Sequence, residues 1–257
     1  MPLEFNAPAG DNLFDKAKVV GKSTPRIDGP RKTTGTAPYA YERHDVAPNQ
    51  VYGYIVGAGI GKGRIISMDA SRARAAPGVL AVITAPETKP VGKSNWNNAP
   101  LFGGSEVAHY HQAIACVVAE TFEQARAAAA LIRTRYERGK GRFDFPALAP
   151  SAPLAKGRGG KPDRQTLGDF DTAYASAAVK LDETYHTADE SHSMMEPHAT
   201  IAAWEGDTLT LWTSNQMIDW ARQGMAAILG IDAGKVRVDS PYIGGGFGGK
   251  LFNRADV

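Results

Sequence analysis

The sequence predicts an α+β, mixed α/β protein built in two parts, and three observations predict it. Between residues 35 and 140, short apolar and β-branched runs alternate with alanine-rich stretches of helical period. Residues 139–166 then turn rich in Gly, Pro, Ala and Lys, the composition of a domain boundary. Beyond it a hairpin pattern, a helix pattern and one more strand lead into a glycine-rich segment near Val257.

Taken in order, residues 1–34 are polar and punctuated by Pro8, Gly10, Gly21, Pro25, Gly29 and Pro30, and they read as an extended arm. The first domain, 35–140, opens with strands at Val51–Val56 and Ile65–Met68. A short helix over Ala70–Ala76 is stopped by Pro77-Gly78, and Val79–Thr84 is the third strand. Ala113–Ala119 is the fourth, Thr121 caps a helix over Phe122–Ala130, and Leu131–Tyr136 is the fifth strand. Residues 141–166 are the linker.

The second part, 167–257, begins with a helix at Phe170–Ala177 and a strand-like run at Val179–His186. Ala199–Trp204 and Thr208–Thr213 pair as a hairpin around Glu205-Gly206-Asp207. Met217–Leu229 has helical period and ends at Gly230 as its C-cap. Val236–Val238 is the strand that feeds the glycine segment.

Composition excludes several functions. The 29 basic and 27 acidic residues leave a net charge of +2, so neither a nucleic-acid nor a membrane-surface partner is expected. The basic cluster Lys156–Lys161 is short and diluted by glycine, which suits a solvated linker. Cys116 is the single cysteine and sits in an apolar run, which suits a buried structural thiol. One cysteine supports no disulfide framework, no cysteine zinc site and no iron–sulfur cluster. His192 and His198 lack partners at zinc-like spacing. No apolar stretch is long enough to cross a bilayer, and Met1–Phe5 lacks the opening of a signal peptide.

The chemistry concentrates in Gly244-Gly245-Gly246-Phe247-Gly248-Gly249-Lys250-Leu251. Five glycines in six positions present bare N–H groups to an anionic or oxo-bearing group. Gly244, Gly246 and Gly249 fit a dinucleotide fingerprint, but the acid expected about 20 positions on falls past Val257. Gly244, Gly249 and Lys250 fit a phosphate loop, but Leu251 stands where Ser or Thr must hold magnesium. A plain linker is disfavoured by the large apolar rim of Tyr242, Ile243, Leu251 and Phe252. A second glycine run, Val56–Gly63, has Lys62 at its third required glycine and a strand after it, so it reads as a turn between strands.

Three motifs in this order resemble the molybdenum-binding subunit of the xanthine dehydrogenase and aldehyde oxidase family, the molybdenum hydroxylases. They are Met195-Glu196-Pro197-His198-Ala199-Thr200, then Trp212-Thr213-Ser214-Asn215-Gln216, then the Gly244–Lys250 loop. Gly35-Thr36-Ala37-Pro38-Tyr39, Ala76-Pro77-Gly78-Val79 and His111-Gln112-Ala113-Ile114-Ala115 are similar to that family's α/β hammerhead domain. The resemblance therefore implies a hammerhead-type domain followed by the first, incomplete part of a molybdopterin-binding domain. Val19-Val20-Gly21 and Arg26-Ile27-Asp28-Gly29 look like the opening of bacterial periplasmic aldehyde oxidase subunits.

By that match, Gln216 aligns with the glutamine whose side-chain amide donates to the apical oxo ligand of molybdenum. Taken alone, Gln216 reads as an N-cap or a solvent-facing residue before the Met217 helix. Phe247 aligns with the phenylalanine whose backbone N–H approaches the same oxo group, and Gly245, Gly246 and Gly248 keep that approach open. Phe247 also reads as a core anchor for the loop. Glu196 and His198 read as supports of the site wall. The family's general base is a later glutamate, expected beyond Val257, so no catalytic residue is assigned here. Leu251 takes the place of an acid found in purine-oxidising members, and an apolar side chain there suits an aldehyde.

The resemblance implies the molybdenum-binding part of an aldehyde oxidoreductase that makes carboxylic acids. Its cofactor is molybdenum–molybdopterin in the cytosine dinucleotide form. Iron–sulfur and FAD subunits complete a heterotrimer, because one cysteine leaves this chain without its own electron relay. Location follows as periplasmic by export with a signal-bearing partner, or else cytoplasmic. The alternatives are a xanthine dehydrogenase-like hydroxylase of N-heterocycles and a non-catalytic nucleotide- or phosphate-binding module.

Overall fold

The computed structural model describes residues 18–92, 101–153 and 167–255. Its elements run α1 (Gly29–Thr33), β1 (Tyr52–Gly57), β2 (Gly63–Asp69), α2 (Ser71–Arg74), β3 (Val79–Thr84), β4 (Glu106–Val107), β5 (Ala113–Ala119), α3 (Phe122–Ala129) and β6 (Arg133–Arg138). The chain continues with α4 (Phe145–Leu148), α5 (Phe170–Ser176), β7 (Thr200–Glu205), β8 (Thr208–Thr213), α6 (Ile218–Leu229) and β9 (Val236–Asp239). Two compact units result: Asn49–Ser193 with Ala227–Gly230, and Met1–Pro48 with Met194–Ala226 and Ile231–Val257.

The first of these units holds two three-stranded sheets, ordered β1-β5-β3 and β4-β2-β6. Strand β5 is central because it is apolar on both faces. Ile114 packs into one core with Ala58, Ile60, Ile65 and Val107, while Val117 packs into another with Ala73, Ala128 and Ala129 of the helical layer. Residues an odd number apart on a strand face opposite ways, so the two cores follow from the pleat. Thr121 closes α3 with a reciprocal capping box: its hydroxyl accepts from the Gln124 N–H at 3.2 Å, and the Gln124 amide accepts from the Thr121 N–H at 3.0 Å. Cys116 is half-buried where the sequence suggested a buried thiol, and desolvation pushes its thiol up. The Val56–Gly63 run is indeed the turn between β1 and β2.

The other unit is a three-stranded sheet ordered β7-β8-β9. Gly206, at φ +60°, turns the β7–β8 hairpin, whose antiparallel register runs from Glu205↔Thr208 to Thr200↔Thr213. β8 and β9 are parallel, from Leu209↔Val236 to Trp212↔Asp239. Parallel neighbours need a crossover, and α6 supplies it. Leu209, Leu211, Met225, Ala226 and Val236 form the core between helix and sheet. Gly230 ends α6 in the left-handed region at φ +67°, with the Ile231 N–H bonded back to the Ala226 carbonyl at 3.0 Å.

Two sequence expectations are corrected, and one strand is added. Val179–His186 forms no strand: with no partner strand alongside, Val179, Leu181 and Tyr185 stay exposed. The arm is not extended throughout, since Pro30, at the start of α1, presets φ for a helical turn. β4 is a two-residue strand too short to leave a period in the sequence. The Lys156–Lys161 cluster lies outside the described residues.

Candidate cofactor site at the ends of the parallel strands

Parallel strands end on the same side, and β8 and β9 deliver their following loops to one place. After β8 come Ser214, Asn215 and Gln216; after β9 come Ser240 and the glycine loop. The two loops are stitched at their roots: the Asn215 N–H donates to Ser240 Oγ at 2.9 Å, and that hydroxyl donates to the Asn215 carbonyl at 3.2 Å.

Asn215 then decides what Gln216 does. The Asn215 Oδ1 accepts the Met217 N–H at 2.7 Å, so the turn into α6 is closed by Asn215 and not by Gln216. The Gln216 amide swings onto the glycine loop instead. Its Oε1 accepts from the N–H groups of Gly248 at 3.0 Å and Lys250 at 3.3 Å, while the Gln216 backbone N–H donates to the Lys250 carbonyl at 2.8 Å. Two N–H donors can face only the oxygen of an amide, which assigns its orientation. Among the described residues Nε2 has no acceptor, and the side chain is exposed. It is a positioned, unused donor.

The loop is tightly folded. The Gly249 N–H donates to the Gly246 carbonyl at 2.7 Å, and Gly245 and Gly248 take φ of +100° and +94°. Gly244 and Gly246 are required for a different reason, which is space. A Cβ on Gly244 would lie 2.6 Å from Glu196 Cβ, and one on Gly246 would lie 2.5 Å from Gln216 Oε1. Phe247 takes φ +50°, and its N–H has no acceptor among the described residues. The residue is 74% exposed, so the core-anchor reading of Phe247 is corrected: the loop is held by polar bonds. Leu251 is half-buried, and after it Phe252 stacks on Trp220 at 6.1 Å.

Beneath the loop lies a buried charge cluster that the sequence did not reveal. Lys250 has a fully buried side chain, and its Nζ donates to Glu196 Oε2 at 2.9 Å, to the Glu196 carbonyl at 2.9 Å and to Ser214 Oγ at 3.0 Å. Glu196 Oε2 also accepts from Ser214 Oγ at 2.6 Å and from the Gly244 N–H at 2.7 Å. Burial pushes the Glu196 carboxyl up, but the Ser214, Lys250 and Gly244 hydrogen bonds and the Lys250 charge outweigh it and hold it below its ordinary value. Glu196 is thus a support of the site wall in a literal sense. A signal was available: a lysine flanked by a glycine loop and by Leu251-Phe252 has an apolar setting, so it needs a buried partner.

The N-terminal segment joins this unit too. Tyr39 meets Tyr242 edge-on at 6.4 Å, and Lys32 Nζ donates to the Ile243 carbonyl at 3.2 Å. Among the described residues no cluster of three or more His, Cys, Asp or Glu side chains could ligate a metal directly. The donor set instead suits a group bound through its own ligand atoms and met by outer N–H groups: glycines that admit no Cβ, an unused Gln216 Nε2 and an unused Phe247 N–H.

Comparisons with known proteins agree with this geometry. Residues 34–140 match the a/b hammerhead domain of aldehyde oxidase and xanthine dehydrogenase, and residues 156–256 match the molybdopterin cofactor-binding domain. The chain is 56% identical over 255 residues to the aldehyde oxidoreductase molybdenum-binding subunit PaoC of Escherichia coli K12, covering 99% of this chain and 34% of that protein. It is 31% identical to the nicotinate dehydrogenase large molybdopterin subunit of Eubacterium barkeri, over 91% of this chain and 56% of that one. Carbon monoxide dehydrogenase from Oligotropha carboxidovorans superposes with a TM-score of 0.72 at 28% identity, over 92% of this chain and 32% of that one. The chain spans about a third of the length of PaoC. With both domain models matched in sequence order and the glycine loop, Gln216 and the Glu196 segment meeting at one place, the chain belongs to the aldehyde oxidase and xanthine dehydrogenase family.

Proposed function

We propose that the protein acts as the molybdenum-cofactor-binding part of an aldehyde oxidoreductase, with Gln216, Gly245, Gly246, Phe247 and Gly248 against the cofactor and Leu251 toward the substrate. The observation that carries this reading is the Gln216 amide. Its oxygen is occupied by the loop N–H groups of Gly248 and Lys250, so its nitrogen is left as a fixed donor beside the loop.

When bound, the molybdenum–pterin group supplies the two-electron redox centre for converting an aldehyde to a carboxylic acid. The chain's residues provide preorganised polarity around it. Gln216 Nε2 and the Phe247 N–H stay aimed without having to reorganise, which is how preorganised donors act. Leu251 offers no hydrogen bond, so it penalises a polar heterocycle and tolerates the ring or chain of an aldehyde. The name of PaoC as an aldehyde oxidoreductase subunit supports the same substrate class.

Further parts of the proposal are the cytosine dinucleotide form of the pterin, an iron–sulfur subunit and an FAD subunit as electron-transfer partners, and a heterotrimer in the periplasm. The alternative location is the cytoplasm, and fractionation of cells expressing the intact complex separates the two.

The test is metal analysis of the purified full-length protein together with aldehyde-dependent dye reduction. Stoichiometric molybdenum with aldehyde turnover is the expected result. Molybdenum with turnover of an N-heterocycle and not of aldehydes overturns the substrate class. Nucleotide binding without molybdenum overturns the enzyme reading in favour of a binding module.

A further inference from the structure

We propose that Glu196 and Lys250 form a positioning clasp that closes the glycine loop at both ends, so that the Gln216 amide and the Phe247 backbone are held in place by a pair that does not itself touch the cofactor. The assignment rests on the molybdenum reading of this loop, and it deepens that reading by naming what aims the donors.

A single carboxylate oxygen is the knot. Glu196 Oε2 binds the N–H of Gly244 at the loop's entry and the Nζ of Lys250 at its exit. Residues 244 to 250 are thereby pinned to one atom. Lys250 uses every polar group it has: three bonds from Nζ to Glu196 and Ser214, and its N–H and carbonyl both to Gln216. An ammonium has three donors, and here all three are matched. The three motif segments of the site, around Glu196, around Ser214–Gln216 and the loop itself, therefore meet at one residue.

Stability alone does not call for this arrangement. A buried ion pair loses so much solvation that a well-packed apolar pair commonly serves a core as well or better. What the charged pair adds is direction: fixed bond lengths and angles to both loop ends at once. Glu196 Oε1 is buried with no hydrogen-bond partner among the described residues, so the load falls on the oxygen that holds the loop.

The experiment is residue-resolved amide hydrogen exchange on the full-length protein, comparing wild type with Lys250→Met, Glu196→Gln, the double variant and Ser214→Ala. Each substitution keeps the backbone of residue 250 and its two bonds to Gln216 available. Loss of the anchoring bonds should speed exchange at Gly248 and Lys250 by about tenfold or more, with β7, β8 and β9 unchanged. The double variant should lose less than the product of the two single effects. In loaded enzyme, kcat per molybdenum should fall while KM stays near wild type, since substrate contacts are intact.

Unchanged loop exchange in a folded variant overturns the clasp. So does an equal rise across loop and sheet, which marks an ordinary core pair. Should Lys250→Met fail to fold, Ser214→Ala keeps both charges, removes the two bonds of the Ser214 hydroxyl to Glu196 and Lys250 and is read the same way. Loop-confined loosening in a protein that carries no molybdenum supports the clasp and overturns the metal reading. Loaded protein whose variants keep wild-type loop exchange overturns the clasp alone.

Discussion

Gly246 faces Gln216 so closely that a β-carbon on the glycine would stand 2.5 Å from the glutamine's Oε1. The contact joins two segments 30 residues apart in sequence numbering, at the point where the site's donor is aimed.

A first prediction follows from that contact. Gly246→Ala should destabilise the full-length protein by about 1–3 kcal/mol through overpacking, and it should displace the Gln216 amide. Gly246→Ala combined with Gln216→Ala should recover most of the stability without recovering activity. Denaturant melts beside turnover measurements check this, and simple additivity of the two stability losses would refute it.

Gly248 is constrained differently. Its φ of +94° penalises any side chain even in open space. Gly248→Ala should therefore cost about 1–2 kcal/mol, and no substitution at Gln216 should relieve it. A compensating Gln216 variant would show that the strain reading is mistaken.

Gln216→Glu separates the two ends of the amide. A carboxylate still accepts from the Gly248 and Lys250 N–H groups, but it has no Nε2 to donate. The variant should fold and load cofactor, while kcat drops roughly 100-fold, the typical loss for one positioned donor. Normal turnover per bound molybdenum would remove Gln216 from its assigned role.

The Glu196 carboxyl has a lowered pKa in the folded state. Its contribution to stability is then full above its ordinary value of 4.5 and is lost as pH falls through the lower folded-state value. Urea melts of the full-length protein should lose stability more steeply in acid for wild type than for Glu196→Gln. Parallel pH profiles would contradict the bonding described for Oε2.

Leu251→Glu should depress kcat/KM for benzaldehyde near neutral pH, because it places an unpaired charge where an apolar wall stood. An unchanged aldehyde rate would show that Leu251 does not face the substrate, and the preference for aldehydes would lose its main physical support.

Much of the fold was legible because it is local. The runs Val79–Thr84 and Ala113–Ala119 are strands with the limits their patterns predict, and Thr121 announced its helix through the capping box with Gln124. Val179–His186 shows the limit of pattern: alternation makes a strand only where a neighbour offers hydrogen bonds. At the site, the order of the motifs already linked Gln216 to the loop. The Glu196–Lys250 pair stayed hidden because its partners lie 54 residues apart and neither belongs to a local period. The same holds for Tyr39, whose contact with Tyr242 has no local signature.

That last contact has a consequence for synthesis. The segment ending at Pro48 emerges before β7, β8 and β9 but belongs to the unit they complete, with Asn49–Ser193 spelled out in between. At roughly 5–20 residues per second, Tyr39 leaves the ribosome about ten to forty seconds before Tyr242 exists to receive it. The intervening unit is itself finished only when Ala227–Gly230 follow. The early segment waits without its partner, and codon changes that slow translation between 49 and 193 would lengthen that wait without altering a single contact of the finished protein.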